Sequence, residues 1–198
     1  MDYLHGIFKF YYKKTMSKKI PKQSLDTLKG KNWLDDEVIN NYLALLVKKN
    51  SKFGYANSFF YTALSQHNGF ADVAQYKIAK DIKNSKFDDL LIPIHLTNHW
   101  ILIHVHLVGK EKKIKVYDSF NVEHPIVANK ILEFLKYLGL KAFKISFAKC
   151  PQQNNGYDCG VFILAFAECL VNGKPISSIK QAIIPEYRKK IHNALTKK

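Results

Sequence analysis

Arginine is almost missing from this chain: Arg188 is the single one among 31 basic residues in 198. Bidentate reading of bases and phosphates leans on the planar arginine fork, so a formal charge of +15 carried by lysine speaks for diffuse attraction to acidic partners and against specific nucleic-acid recognition. Cysteine is scarce too. Cys150, Cys159 and Cys169 are an odd number without a C-x-x-C pair, which argues against a disulfide framework and against structural zinc, and fits a reducing compartment. No apolar run is long enough to cross a bilayer, and no apolar segment follows a basic start as in a secretory signal. A soluble, intracellular chain with no membrane span is the expectation, with nucleus and cytoplasm both open.

What is present is enough apolar material, 47% of residues, for one domain with a full core. Residues 1–18 mix aromatics and lysines with no clear period, so their structure is left uncertain, and residues 19–198 are expected to form a single domain. A short helical turn is expected at 24–28. A well-signalled helix opens at N-W-L-D-D-E, where Asp35, Asp36 and Glu37 suit the positive end of the helix dipole, and runs over 32–47. The aromatic-rich stretch 53–64 leads into a helical turn ended by His67, Asn68 and Gly69, and 71–80 reads as one more helix. Three strands follow at 89–96, 100–108 and 112–118, joined by connections short enough for antiparallel neighbours. A helix over 126–138, a strand over 141–147 and a final apolar helix after Cys159 complete an α+β order.

The stretch 150–160, C-P-Q-Q-N-N-G-Y-D-C-G, is a loop delivering a thiol to a helix start. Unpaired N–H groups and the dipole at such a start favour the thiolate, the nucleophilic form. Catalysis by cysteine also needs a base, a group that orients the base, and oxyanion donors. His99 at a strand junction, Asp118 at a strand end and Gln153 in the cysteine loop are candidates for these three. Each has a plainer explanation: His99 could cap a turn, Asp118 could be a turn residue, Gln153 could be solvated and Cys159 could be one more buried thiol. His95, His99, His104 and His106 raise a metal reading, which their apolar strand neighbours weaken, so no metal is expected.

The stretches W-L-D-D-E-V-I-N-N-Y, N-S-F-F-Y-T-A-L-S, L-L-I-P-I-H-L-T-N-H-W, V-Y-D-S-F and P-Q-Q-N-N-G-Y-D-C-G-V-F, in that order and with the tail I-I-P-E-Y-R-K-K-I, resemble the catalytic domain of the SUMO-specific (sentrin-specific) cysteine proteases, of the adenain-like clan. The resemblance implies that clan's fold, with a central, mainly antiparallel sheet flanked by helices and the nucleophile at a helix N-terminus. It implies Cys159 as nucleophile, His99 as general base, Asp118 as its orienting carboxylate and Gln153 as oxyanion donor. By the same likeness Trp100 covers a narrow tunnel for a Gly-Gly tail, Trp33 is a second tunnel tryptophan and Asp36 contacts the modifier, although core packing would account for both tryptophans. The implied activity is cleavage after the C-terminal Gly-Gly of SUMO or a related ubiquitin-like protein, in precursors or conjugates, without a cofactor. Rivals are a deubiquitinase, another modifier or polyprotein protease of effector or viral type, an acetyltransferase of the same clan, and a non-catalytic module that binds a modifier.

Overall fold

The computed structural model describes residues 19–66 and 69–197. The N-terminal segment 1–18 lies outside the described residues. Helix α1 (Lys22–Asp26) precedes α2 (Asp36–Lys48). The sequence places the start of α2 at Asn32, but the structure starts it after Asp35, whose carboxylate accepts from the Val38 N–H at 3.0 Å. A side chain in that capping role needs an extended backbone, and Asp35 has it, with φ −87° and ψ 172°.

A three-residue strand, β1 (Phe53–Tyr55), comes next and was not expected. Three short helices follow: α3 (Phe60–Leu64), α4 (Gly69–Ala74) and α5 (Lys77–Lys83). The single helix expected over 71–80 is two, because Tyr76 is extended (φ −70°, ψ 152°) and restarts the chain. Gly69 opens a helix instead of ending one. A Cβ there would stand 2.4 Å from the Ala63 carbonyl oxygen, so only glycine lets α4 press against the end of α3. His67 and Asn68, the other two residues of that expected stop, lie outside the described residues.

The sheet runs β1-β2-β3-β4-β5, with β2 (Asp89–Leu96), β3 (His99–His106), β4 (Lys112–Tyr117) and β5 (Phe143–Phe147). Its two central pairings are antiparallel and carry most of the register, in line with the expected mainly antiparallel sheet, and its two outer pairings are parallel. The connections explain this. Strands β2 to β4 follow one another through short turns, whereas α3 to α5 separate β1 from β2, and α6 (Pro125–Tyr137) separates β4 from β5; such crossovers bring strands back parallel.

Strand alternation sorts the core into two clusters. Leu90, Ile92, Ile94, Ile101, Ile103, Val105, Ile114 and Val116 face α3, α5 and α6. Leu91, Trp100, Leu102 and Tyr117 face the other way, against α2 and helix α7 (Cys159–Val171). Apolar on every side, α7 has buried residues at nearly every position, because it is enclosed by β3, by α2 and by the terminal helix α8 (Ile184–Thr196). Among the described residues no helix is long and apolar enough to cross a membrane.

Candidate active site

Three elements converge at one end of this sheet. The β2–β3 hairpin turns on Thr97 and Asn98, with Leu96 paired to His99 and Asn98 at φ +60°, a left-handed conformation that asparagine tolerates well. That turn sets His99 as the first residue of β3. Asp118 follows the last residue of β4, and Cys159 is the first residue of α7.

His99 Nε2 lies 2.7 Å from Asp118 Oδ1. Its ring stacks on Phe120, with centroids 4.9 Å apart. The other ring nitrogen, Nδ1, is buried and has no aligned hydrogen-bond partner among the described residues. Burial by itself would lower the pKa of His99, but hydrogen bonding and charge interaction with Asp118 and then with the Cys159 sulfur outweigh it and raise the pKa to about 9. The ring is therefore mainly imidazolium at neutral pH, and with Nε2 committed to the carboxylate, Nδ1 is the nitrogen left for the thiol.

Asp118 is buried, 3% exposed, and its carboxylate is fully engaged. Oδ1 also accepts from the Phe120 N–H at 2.8 Å, and Oδ2 lies 2.7 Å from His124 Nε2. Burial opposes its ionisation, yet the hydrogen bonds from His99, Phe120 and His124 win and hold its pKa below the usual carboxylate value.

Gln153 is buried, and both ends of its amide are tied. Its Oε1 accepts from the Ser119 hydroxyl at 2.6 Å, and its Nε2 donates to the Asn155 carbonyl at 2.6 Å. A primary amide has two N–H bonds, so one donor remains. Ser119, fully buried, gives no signal in the sequence, because a serine after an end-of-strand aspartate reads as an ordinary turn.

The loop before Cys159 is anchored from below. Asp158 holds the N-cap position of α7 without capping it, since its carboxylate serves other partners. Oδ1 takes Arg188 Nη2 at 2.7 Å and Nε at 3.1 Å, while Oδ2 takes Asn155 Nδ2 at 2.8 Å and Gln181 Nε2 at 2.9 Å. Arg188 goes on to donate to the carbonyls of Thr27, Asn32 and Tyr157, so the lone arginine is a buried clamp joining α8, the loop and the N-terminal helices. Its singularity in a lysine-rich chain was the available signal, because only arginine can make so many directed bonds at once.

Trp100 is 4% exposed, donates its indole N–H to the Leu34 carbonyl at 3.1 Å and packs on the His95 ring at 4.6 Å between centroids. A Cβ on Gly160 would lie 3.0 Å from Leu34 Cβ and 3.3 Å from Trp100 Cδ1, so the residue after Cys159 passes directly under these two side chains. Trp33, next to Leu34, is 48% exposed, and Asp36 sits in the first turn of α2. The four histidines of the metal reading are apart in role. His99 is on Asp118, His95 is against Trp100, and His104 and His106 both bond Asp89 Oδ1, at 2.7 and 2.8 Å.

A helix-start thiol interacting with an imidazolium that a buried carboxylate backs is the arrangement of cysteine proteases. The model of the Ulp1 protease family, C-terminal catalytic domain, matches residues 32–197, and the chain belongs to that family. Sentrin-specific protease 5 of Mus musculus is 34% identical over 198 residues, covering 95% of this chain and 25% of its own length. A sentrin-specific protease of Caenorhabditis elegans is 33% identical over 196 residues, covering 90% of this chain and 27% of its own. The chain thus spans about a quarter of the length of these curated relatives. Among solved structures, the C-terminal Ulp1 protease domain in complex with Smt3, the yeast ortholog of SUMO, superposes with a TM-score of 0.77 at 26% identity, covering 88% of this chain and 81% of that one. The SUMO protease Ulp1 with its catalytic cysteine oxidised to a sulfenic acid gives a TM-score of 0.79 at 26% identity, over 97% and 93%.

Proposed function

We propose that residues 19–198 form one catalytic domain, a cysteine protease that cleaves after the C-terminal Gly-Gly of a SUMO-type modifier, from precursors, from conjugates or from both. The observation that carries the chemistry is His99, bonded to Asp118 at 2.7 Å and interacting with the Cys159 sulfur, the two together raising its pKa to about 9. The substrate class is supported by the sentrin-specific relatives and by the fold shared with a SUMO-bound domain. A formal charge of +15 also suits an acidic partner. Three free cysteines and a modifier substrate fit a reducing compartment, nucleus or cytoplasm.

In the reaction, the Cys159 thiolate attacks the carbonyl carbon of the terminal glycine. The oxyanion is received by the remaining Gln153 N–H and by backbone N–H groups at the start of α7, whose N-cap side chain is committed elsewhere. His99 gives its Nδ1 proton to the departing amine, the C–N bond breaks and a thioester remains. Neutral His99 then takes a proton from water, which attacks the thioester, and the modifier leaves with a free carboxylate. By the family likeness Trp100 covers the passage of the substrate tail, and a tail of glycines suits it because only glycine lets a chain run so close to an enclosing ring. Trp33, partly exposed, and Asp36 are assigned to modifier contact.

The test is cleavage of matched SUMO and ubiquitin fusions with a C-terminal extension. Cleavage of the SUMO fusion after Gly-Gly, lost in Cys159→Ala and reduced on the order of 100-fold to 1000-fold in Gln153→Ala, is the expected outcome. Preference for the ubiquitin fusion would overturn the substrate, and cleavage by Cys159→Ala would overturn the mechanism.

A further inference from the structure

Asp118 lies between two imidazoles, and only one of them belongs to the chemistry proposed above. Its Oδ1 receives His99 and the Phe120 N–H. The one side-chain or backbone group on Oδ2 among the described residues is His124 Nε2, at 2.7 Å. We infer that His124 is a positioning residue for the reaction: by holding Oδ2 it fixes the rotation of the Asp118 carboxylate and so keeps Oδ1 aimed at His99.

The backbone of His124 is set by α6. His124 occupies the N-cap position, Pro125 is the first residue of the helix, and the His124 carbonyl receives the Ala128 N–H at 3.0 Å. Its side chain makes no capping bond and turns instead to Asp118, with 16% of its side chain exposed. A helix on the far face of the sheet thus reaches the catalytic end through one imidazole.

A carboxylate can rotate about its Cβ–Cγ bond, and although a full half-turn merely exchanges two equivalent oxygens, any smaller turn takes the oxygen out of line with His99 and with Phe120 together. At an exposed site water would satisfy Oδ2 and little would be lost. At 3% exposure an unbonded carboxylate oxygen bears the cost of desolvation, so Asp118 without His124 either turns or draws water into the site. Either change loosens His99, whose raised pKa depends on Asp118. Histidine supplies the donor on a rigid ring, with few torsions to order.

The inference rests on the reading of His99 and Asp118 as a catalytic pair, and its test needs no protein substrate. Iodoacetamide alkylation of Cys159 at neutral pH, read by mass, follows the reactivity of the thiol beside His99. His124→Met keeps bulk without a donor, and His124→Gln places an amide N–H where Nε2 stands. His124→Met is expected to slow alkylation on the order of tenfold, the lower end of what loss of an outer hydrogen-bond partner costs at metal sites, while thermal unfolding stays close to wild type. His124→Gln is expected to recover most of the rate. On a SUMO fusion the same variants are expected to change kcat and leave KM. Wild-type alkylation by His124→Met would overturn the inference, as would equal slowing by both variants, which reports packing alone. Rapid, His124-dependent alkylation in an enzyme that leaves SUMO fusions uncut would instead sink the substrate reading and leave this inference standing.

Discussion

Arg188 meets Asp158 through two nitrogens on one carboxylate oxygen, at 2.7 and 3.1 Å, one residue before the thiol of Cys159. Both side chains are nearly sealed from solvent, at 6% and 5% exposure. A buried pair with excellent geometry is strongly destabilised when one partner is removed, because the other charge is left alone. Arg188→Ala should therefore cost about 3–5 kcal/mol of folding stability. Arg188→Lys should recover only part, since a single ammonium cannot serve Asp158 and the carbonyls of Thr27, Asn32 and Tyr157 together. Urea unfolding of both variants checks this, and an Arg188→Ala protein as stable as wild type would show the clamp to be incidental.

Gly160→Ala places a methyl group 3.0 Å from Leu34 Cβ and 3.3 Å from Trp100 Cδ1. Both neighbours are core residues with little room to yield, so the expected loss is about 1–3 kcal/mol. Displacing Trp100 should also raise KM for a Gly-Gly substrate. Thermal unfolding beside steady-state kinetics separates the two effects, and unchanged kinetics would detach Trp100 from substrate binding.

Titration of His99 gives a prediction with a definite sign. Its folded pKa of about 9 stands above the ordinary 6.5, so its contribution to stability is complete below about pH 6.5 and is lost as pH rises through about 9. In the proposed reaction the same proton is the one the leaving amine needs. A plot of kcat/KM against pH should fall on the alkaline side with a midpoint near 9. Stability of the wild type, but not of His99→Ala, should decline over that range. A flat wild-type profile there would contradict the pairing with Asp118 and Cys159.

Two thiols serve as internal controls. Burial pushes Cys150 up to about 11, and Cys169 is also raised chiefly by burial. Neither has an imidazole partner among the described residues, and the Cys150 thiol donates to the Ala148 carbonyl at 3.4 Å. Alkylation at neutral pH should mark Cys159 first. Peptide mapping that found Cys150 labelled at a comparable rate would undo the assignment of Cys159 as the activated thiol.

Much of this architecture could be read from local pattern. The β2–β3 hairpin declares itself through Ile-rich runs on either side of Thr97 and Asn98, which put His99 at the junction of two strands, and the structure makes it the first residue of β3. Cys159 at a helix start is equally local, since an unbroken apolar run follows it. What escaped depends on partners distant in sequence. β1 has three residues, too few for a period, and exists because 89–91 pair with it. The parallel edges of the sheet follow from crossovers whose packing no window of sequence contains. Gly69 looks like a stop until Ala63 is seen beneath it. Ser119, His124 and Arg188 are ordinary residue types whose roles come from what they touch at 34, 6 and 30 residues' separation.

Covalent capture tests the central claim most directly. SUMO carrying a thiol-reactive group in place of its terminal carboxylate is mixed with the wild-type protein and with Cys159→Ala, and intact mass is read. The account predicts one adduct of wild type with SUMO, carried on Cys159, and none with the variant. An adduct that persists in Cys159→Ala, or a wild-type protein that captures ubiquitin and leaves SUMO free, would contradict it.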